Sequence, residues 1–144
     1  GCEMQSFSLM TSLIQWHWST RPRENSINEL TASYLIAFQS INKDLYAFII
    51  VVEKKSVIAV AQLNVIQYLT FQVVKRAQIE GVRVSNQYQR QGIGKRLFHY
   101  LIKLSKQHNC HRIQLTKNNE RNDAHSFYKG LGFEATHSGF KLYF

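Results

Sequence analysis

The sequence predicts an α/β domain built on a mixed sheet. Segments rich in Val, Ile, Tyr and Phe stand at 45–52, 57–71 and 77–84. A glycine-bearing turn at 92–94 opens onto a strongly amphipathic run, and a short apolar segment at 112–116 follows it. Strands paired near one another, then strand–turn–helix–strand, is the order of a sheet with both antiparallel and parallel neighbours. With 144 residues, the chain has room for one domain with a real core and too little for two of ordinary size. One domain over 1–144 is therefore expected, with an atypical start: residues 7–18 are aromatic and apolar but show no clean period.

Each element has its own signal. Asn25 or Ser26 caps a helix over about 27–41, whose apolar positions are Leu30, Tyr34, Ile36, Ala37 and Phe38. The strands at 45–52 and 57–71 are joined by the polar turn Glu53-Lys54-Lys55-Ser56. The second is long for one strand, which predicts a bulge or bend. A third strand covers 77–84. Ile93, Leu97, Phe98, Leu101, Ile102 and Leu104 then fall at helical spacing, with Lys95, Arg96, His99, Lys103 and Lys106 on the other face. After the strand at 112–116, Asn122 or Asp123 caps a short helix to Lys129, and Gly130 or Gly132 ends it. Residues 133–144 read as one or two closing strands.

Composition narrows the setting. Hydrophobic residues make up 44% and charged residues 19%, which excludes a disordered chain. The formal net charge is +9, unevenly placed: between Lys75 and Lys129 stand twelve Lys or Arg and only Glu80, Glu120 and Asp123 as acids. Such asymmetry calls for a polyanionic partner, either a phosphorylated cofactor or a nucleic acid. Two cysteines, Cys2 and Cys110, cannot make a disulfide framework, so a reducing, cytoplasmic setting is expected. No apolar run reaches the ~18 residues of a membrane span. The histidines show no metal-ligand spacing, and no metal is expected.

The most informative stretch is Ile79-Glu80-Gly81-Val82-Arg83-Val84 followed by Gln89-Arg90-Gln91-Gly92-Ile93-Gly94-Lys95-Arg96. Two glycines let the backbone approach a ligand, and the first turn of a helix offers unpaired N–H groups to an anion. A Walker loop is excluded, since nothing supplies its four-residue spacer and Gly-Lys-Ser/Thr. A dinucleotide fingerprint is excluded as well, because Leu97 occupies the place of its third glycine. An ordinary strand-to-helix turn is the bland alternative.

A second motif decides between them. Ala124-His125-Ser126-Phe127-Tyr128-Lys129-Gly130-Leu131-Gly132-Phe133 follows the loop after one helix and one strand. The pair resembles the GNAT superfamily of acetyl-CoA-dependent N-acetyltransferases, whose loop Arg/Gln-x-x-Gly-x-Gly/Ala is met by Gln89, Gly92 and Gly94. The resemblance runs from about Tyr34 to the C-terminus. It implies a mostly antiparallel central sheet flanked by helices and splayed at the cofactor-binding strand. It also implies a pyrophosphate cradle from the backbone of Arg90, Gln91, Gly92, Ile93, Gly94 and Lys95, with Arg90, Lys95 and Arg96 adding positive charge. Val82, Arg83 and Val84 would pair with the pantetheine amides.

The resemblance also implies the chemistry. Acetyl transfer to an amine needs a neutral nucleophile, a stabilised oxyanion and a protonated leaving thiol. Tyr128 matches the family tyrosine near the sulfur, and a phenol of pKa ~10 suits an alkyl thiolate; a purely packing tyrosine is the alternative. The Val82 N–H matches the oxyanion donor. Glu80 is an acid inside an apolar strand, two residues before Val82 and so expected on the same face and half-buried. It would act as base or hold the ammonium; a solvated Glu or an ion pair with Arg83 or Arg112 is the alternative. Where many relatives carry a pantetheine-binding Asn, this chain has Arg121, as a bacterial subgroup does. Asn122 is then the neighbouring candidate for that contact, or simply the helix cap. The acceptor is expected to be a small amine, with a protein N-terminus or lysine as the other option. Trp16, Trp18, Tyr34, Phe38 and His137 are candidates to line its pocket, but an ordinary core role is the favoured reading for each. The family commonly dimerises. Against the enzyme stands a non-catalytic cofactor sensor or nucleic-acid binder on the same fold.

Overall fold

The computed structural model describes residues 40–41, 44–53, 57–69, 74–117 and 122–144. The N-terminal segment before Ser40, including Trp16, Trp18, Tyr34 and Phe38, lies outside the described residues, as does the turn 54–56. Four strands form one sheet in the order β1 (Ala47–Glu53), β2 (Val57–Gln67), β3 (Lys75–Val84), β4 (Cys110–Leu115). β1–β2 and β2–β3 are antiparallel, and β3–β4 is parallel across the helix α1 (Ile93–Gln107). A second helix, α2 (Asn122–Gly130), follows β4.

The core forms where α1 lies on one face of the sheet. Ala59, Ala61 and Ala77 are fully buried on the strands, and these small side chains let the helix come close. Leu97, Phe98 and Leu101 of α1 fill that space together with Leu63 and Ile79. Burying a side chain of that size contributes about 1.5–3 kcal/mol. Ser105 is buried on the same helical face, and its hydroxyl donates to the Leu101 carbonyl at 2.7 Å, so no polar atom there is left unpaired. Lys95, Arg96, His99, Lys103 and Lys106 are exposed on the far side. The helix ends at Gln107 with His108 as its cap, and Asn109, at φ 59°, turns the chain into β4.

Register locates the irregularities. Val52 faces Ala59 and Glu53 faces Val57, so Ile58 is the extra residue of a bulge in β2, which ends at Gln67 instead of running to Phe71. The larger irregularity is in β3. Leu63 faces Ile79 and Ala59 faces Val84, so four steps on β2 oppose five on β3. The extra residue falls at Gly81–Val82, with Gly81 at φ +58°, the left-handed conformation that glycine adopts at such bulges. Alternation therefore resets. Ala77 and Ile79 before the bulge, and Val82 and Val84 after it, all pack on the core.

The far end corrects one expectation. Residues 133–144 contain no strand, and Phe140, Leu142, Tyr143 and Phe144 are exposed. Their strand-like composition finds no partner backbone, and β-propensity without a paired neighbour does not make a strand. Among the described residues, no strand lies beyond β4.

Candidate functional site

β3 delivers the chain to the site. β4 pairs with β3 from Lys75 to Ile79 and stops at Leu115. From Glu80 to Val84, β3 has no strand neighbour on that side among the described residues. The two strands therefore part at the bulge, leaving Val82, Arg83 and Val84 along an open edge. An open edge is a row of N–H and C=O groups suited to an extended amide-bearing chain.

Beyond Val84 the backbone tightens into a 3-10 turn at Asn86–Tyr88, held by Ser85 N–H to the Ile58 carbonyl at 2.8 Å and Tyr88 N–H to the Ser85 carbonyl at 2.9 Å. Gln89 braces this turn: its amide Nε2 donates to Asn86 Oδ1 at 3.0 Å and to the Val84 carbonyl at 3.4 Å. Gln91 does the same through the Gln87 carbonyl at 3.2 Å. Both glutamines thus shape the loop with their side chains.

Arg90 and Gly92 both have positive φ, 61° and 78°, on either side of Gln91. Alternation of left-handed and ordinary conformations turns successive N–H groups inward, the geometry that cradles anions. The cradle opens onto α1, whose cap residue Gly92 provides no side-chain hydrogen bond. The first turn holds no acid and carries Lys95 and Arg96, both exposed. Cations at a helix N-terminus oppose the macrodipole. An anion at that point removes the conflict and pairs with the free N–H groups of Ile93, Gly94 and Lys95. These residues fit a pyrophosphate.

The second motif meets the loop in space. A Cβ placed on Gly94 would stand 3.7 Å from Phe127 Cζ and 3.9 Å from Val84 Cγ2, so α2 abuts the start of α1. Phe127 is the contact residue that sequence reasoning passed over, although its place in Phe127-Tyr128 was the available signal. The Tyr128 ring is half-buried against Phe98 at 5.5 Å and Phe133 at 5.9 Å between centroids. Its carbonyl accepts from Phe133 N–H at 3.0 Å while Lys129 accepts from Gly132 N–H at 3.0 Å, with Gly132 at φ 90°. This Schellman closure explains why Leu-Gly-Phe follows the tyrosine. Asn122 opens α2; its side chain, with Arg121, Asn118 and Asn119, lies outside the described residues. His125 is half-buried on α2, and His137 is exposed and bonded to Thr136.

Glu80 corrects the sequence reading. It is exposed, and because of the Gly81 bulge it faces away from Val82, on the side of the sheet opposite α1. There it lies across from Gln62 and accepts from Gln78 Nε2 at 3.3 Å. Cys110 packs on the core, where burial pushes its thiol up and the Lys75 ammonium pulls partly back. No three His, Cys, Asp or Glu side chains converge among the described residues. None of the described helices is long and apolar enough to cross a membrane.

The profile of the Acetyltransferase (GNAT) family matches residues 10–133. The chain belongs to the GNAT acetyltransferase family. As such it is an acyltransferase enzyme of a family that uses acetyl-CoA. No curated protein matches this acetyltransferase in sequence. Among solved structures, a transcriptional regulator from Bacillus halodurans C-125 is 41% identical over 78% of this chain and 76% of its own, with a TM-score of 0.76. An acetyltransferase from Trypanosoma brucei is 20% identical over 95% of this chain and 94% of its own, with a TM-score of 0.75. Glucosamine-6-phosphate N-acetyltransferase from Arabidopsis thaliana is 18% identical over 95% and 87%, with a TM-score of 0.73. The latter two share the fold.

Proposed function

We propose that this GNAT acetyltransferase moves an acetyl group from acetyl-CoA to a small primary amine by direct attack of the amine on the thioester, in a bacterial cytoplasm. The observation that carries the reading is the continuity of an open strand edge at Val82–Val84 with an uncapped, cation-rich helix start at Gly92–Arg96. One half suits the pantetheine amides, the other the pyrophosphate. Acetyl-CoA, when bound, supplies the thioester carbonyl and the thiolate leaving group.

In this reading the chain's own groups divide the work. Glu80 takes the proton of the incoming ammonium, or holds it while water does. The Val82 N–H donates to the developing oxyanion. Tyr128 gives its phenolic proton to the departing thiolate as the C–S bond breaks and the C–N bond forms. The assignment is supported by Glu80 facing the side opposite α1 while Tyr128 packs with Phe98 of α1, which keeps the two groups apart. A thermal-shift titration tests the cofactor: acetyl-CoA at a hundred times its Kd adds about 2.7 kcal/mol to stability. No shift would sink the reading.

A second reading follows from the Bacillus halodurans relative, which is described as a transcriptional regulator. Here the basic half of the chain contacts nucleic acid and acetyl-CoA acts as a signal or not at all. Salt-dependent oligonucleotide binding without amine-dependent release of thiol would favour it.

A further inference from the structure

The sheet face opposite α1 carries a polar lane that neither the cofactor cradle nor the ring cluster uses. Along β3 it holds Arg76, Gln78 and Glu80 at alternate positions, all before the bulge. Across the parallel ladder, Arg112 faces Arg76 and Gln114 faces Gln78; across the antiparallel one, Asn64 faces Gln78 and Gln62 faces Glu80. Gln62 Nε2 donates to Asn64 Oδ1 at 2.8 Å. The lane has an anionic end at Glu80, beside the open edge, and a cationic end at Arg76 and Arg112.

The cationic end is organised around Tyr68. The guanidinium carbons of Arg76 and Arg112 stand 5.2 Å and 5.6 Å from its ring centroid. Its hydroxyl lies 3.1 Å from His111 Nε2, and His111 Nδ1 lies 2.6 Å from the Lys75 carbonyl. That carbonyl can only accept, so Nδ1 carries a hydrogen and donates to it. Like charges directly across a ladder repel, and among the described residues no carboxylate pairs with either guanidinium. Arg76 Nε is buried with no hydrogen-bond partner, a costly state for a charged donor. An oxyanion bound between the two guanidiniums relieves the repulsion.

We propose that Arg76 and Arg112 bind an anionic group of the acceptor, so that the acceptor is a primary amine carrying a phosphate or carboxylate at its far end. This rests on the acetyltransferase reading above. Arg76 and Glu80 lie four residues apart, about 13 Å along an extended strand. With a hydrogen bond of about 3 Å at each end, a linker of roughly six carbons spans from an amine at Glu80 to an anion at the Arg76 end of the lane. Both guanidiniums already engage the Tyr68 ring, which leaves it unsuited as a stacking platform for a nucleic-acid base.

Three amines of matched length test this: aminohexyl phosphate, aminohexanoate and hexylamine, each with acetyl-CoA and a free-thiol readout. The expected result is a kcat/KM at least about tenfold higher for an anionic amine than for hexylamine, carried by KM. The better of phosphate and carboxylate names the group. Arg112 is exposed, so Arg112→Gln folds; it should bring that ratio close to one while the acetyl-CoA thermal shift stays as in the parent, and Arg112→Lys should keep part of the preference. Equal use of the three amines, or a preference untouched by Arg112→Gln, overturns the inference alone. So does salt-dependent binding of a labelled RNA lost in Arg112→Gln with no discrimination among amines. Failure of acetyl-CoA to stabilise the parent overturns the acetyltransferase reading and this inference with it.

Discussion

Glu80 and Val82 face opposite sides of the sheet, although only Gly81 separates them on β3. Gly81 at φ +58° adds one residue to β3 against β2 and resets the alternation. Val82 returns to the core face with Ile79, and Glu80 remains with Gln78 and Gln62 on the other.

The bulge depends on glycine. No atom lies within 4 Å of a Cβ added at Gly81, so the cost of a side chain there is conformational and not steric. Gly81→Ala should lower unfolding stability by about 1–2 kcal/mol, and Gly81→Asn by less. Chemical denaturation midpoints decide it, and equal stability of the parent and the Ala variant would remove the left-handed turn from the account.

The two loop glycines should separate. Gly92 is left-handed at φ 78°, whereas a Cβ at Gly94 meets only ordinary contacts with Phe127 and Val84. Gly92→Ala is expected to strain the cradle and weaken acetyl-CoA binding about tenfold or more, given a conformational cost of roughly 1–2 kcal/mol. Gly94→Ala should bind within about threefold of the parent and fold at least as well, since Ala gains ~1 kcal/mol over Gly inside a helix. Calorimetric titration with acetyl-CoA compares them.

Lys95 offers a test in which two signs oppose. Without an anion, its charge sits at the positive end of α1 with no cap and no acid beside it. Lys95→Glu should raise the unfolding midpoint of the free protein by a few tenths of a kcal/mol and lower that of the acetyl-CoA complex. Parallel melting curves with and without acetyl-CoA read both. Destabilisation of the free protein would show that Lys95 serves the fold.

Tyr128→Phe keeps the ring that packs on Phe98 and Phe133 and keeps the backbone carbonyl that closes α2. Acetyl-CoA affinity should stay within about threefold, while turnover falls about a hundredfold through loss of the acid. Unchanged turnover would return Tyr128 to a packing role.

Cys110 gives a pH prediction. Burial raises its thiol above the ordinary value of 9.0, with Lys75 opposing. The unfolded chain therefore loses this proton first as pH rises. The contribution to stability is complete below about pH 9 and is lost as pH climbs through the folded value. At neutral pH the thiol should also alkylate more slowly than a free cysteine, and Lys75→Gln should slow it further. Iodoacetamide kinetics followed by mass spectrometry check both.

Much of this was legible in the sequence. Periodicity gave α1 almost to the residue, since its buried Leu97, Phe98 and Leu101 recur at helical spacing. Two motifs in order gave the loop and Tyr128, because glycines needed for left-handed turns and a Schellman closure leave a fixed signature. The tail at 133–144 was misread because an aromatic-rich sequence states a preference and the sheet edge must supply the pairing. Glu80 was misplaced for a related reason: alternation by two holds only while the ladder is regular, and one glycine inside a strand does not announce how its register will shift.

By itself, then, the sequence determined the order of elements, the amphipathic face of α1, the uncapped basic helix start and the family. Those properties reside in neighbouring residues and their spacing. The tertiary structure alone decided that Glu80 faces away from Val82, that β3 and β4 part after Ile79, and that Arg76 and Arg112 share one face with Glu80. These are properties of register between strands, set by which backbone groups pair across the ladder, and no single strand encodes them.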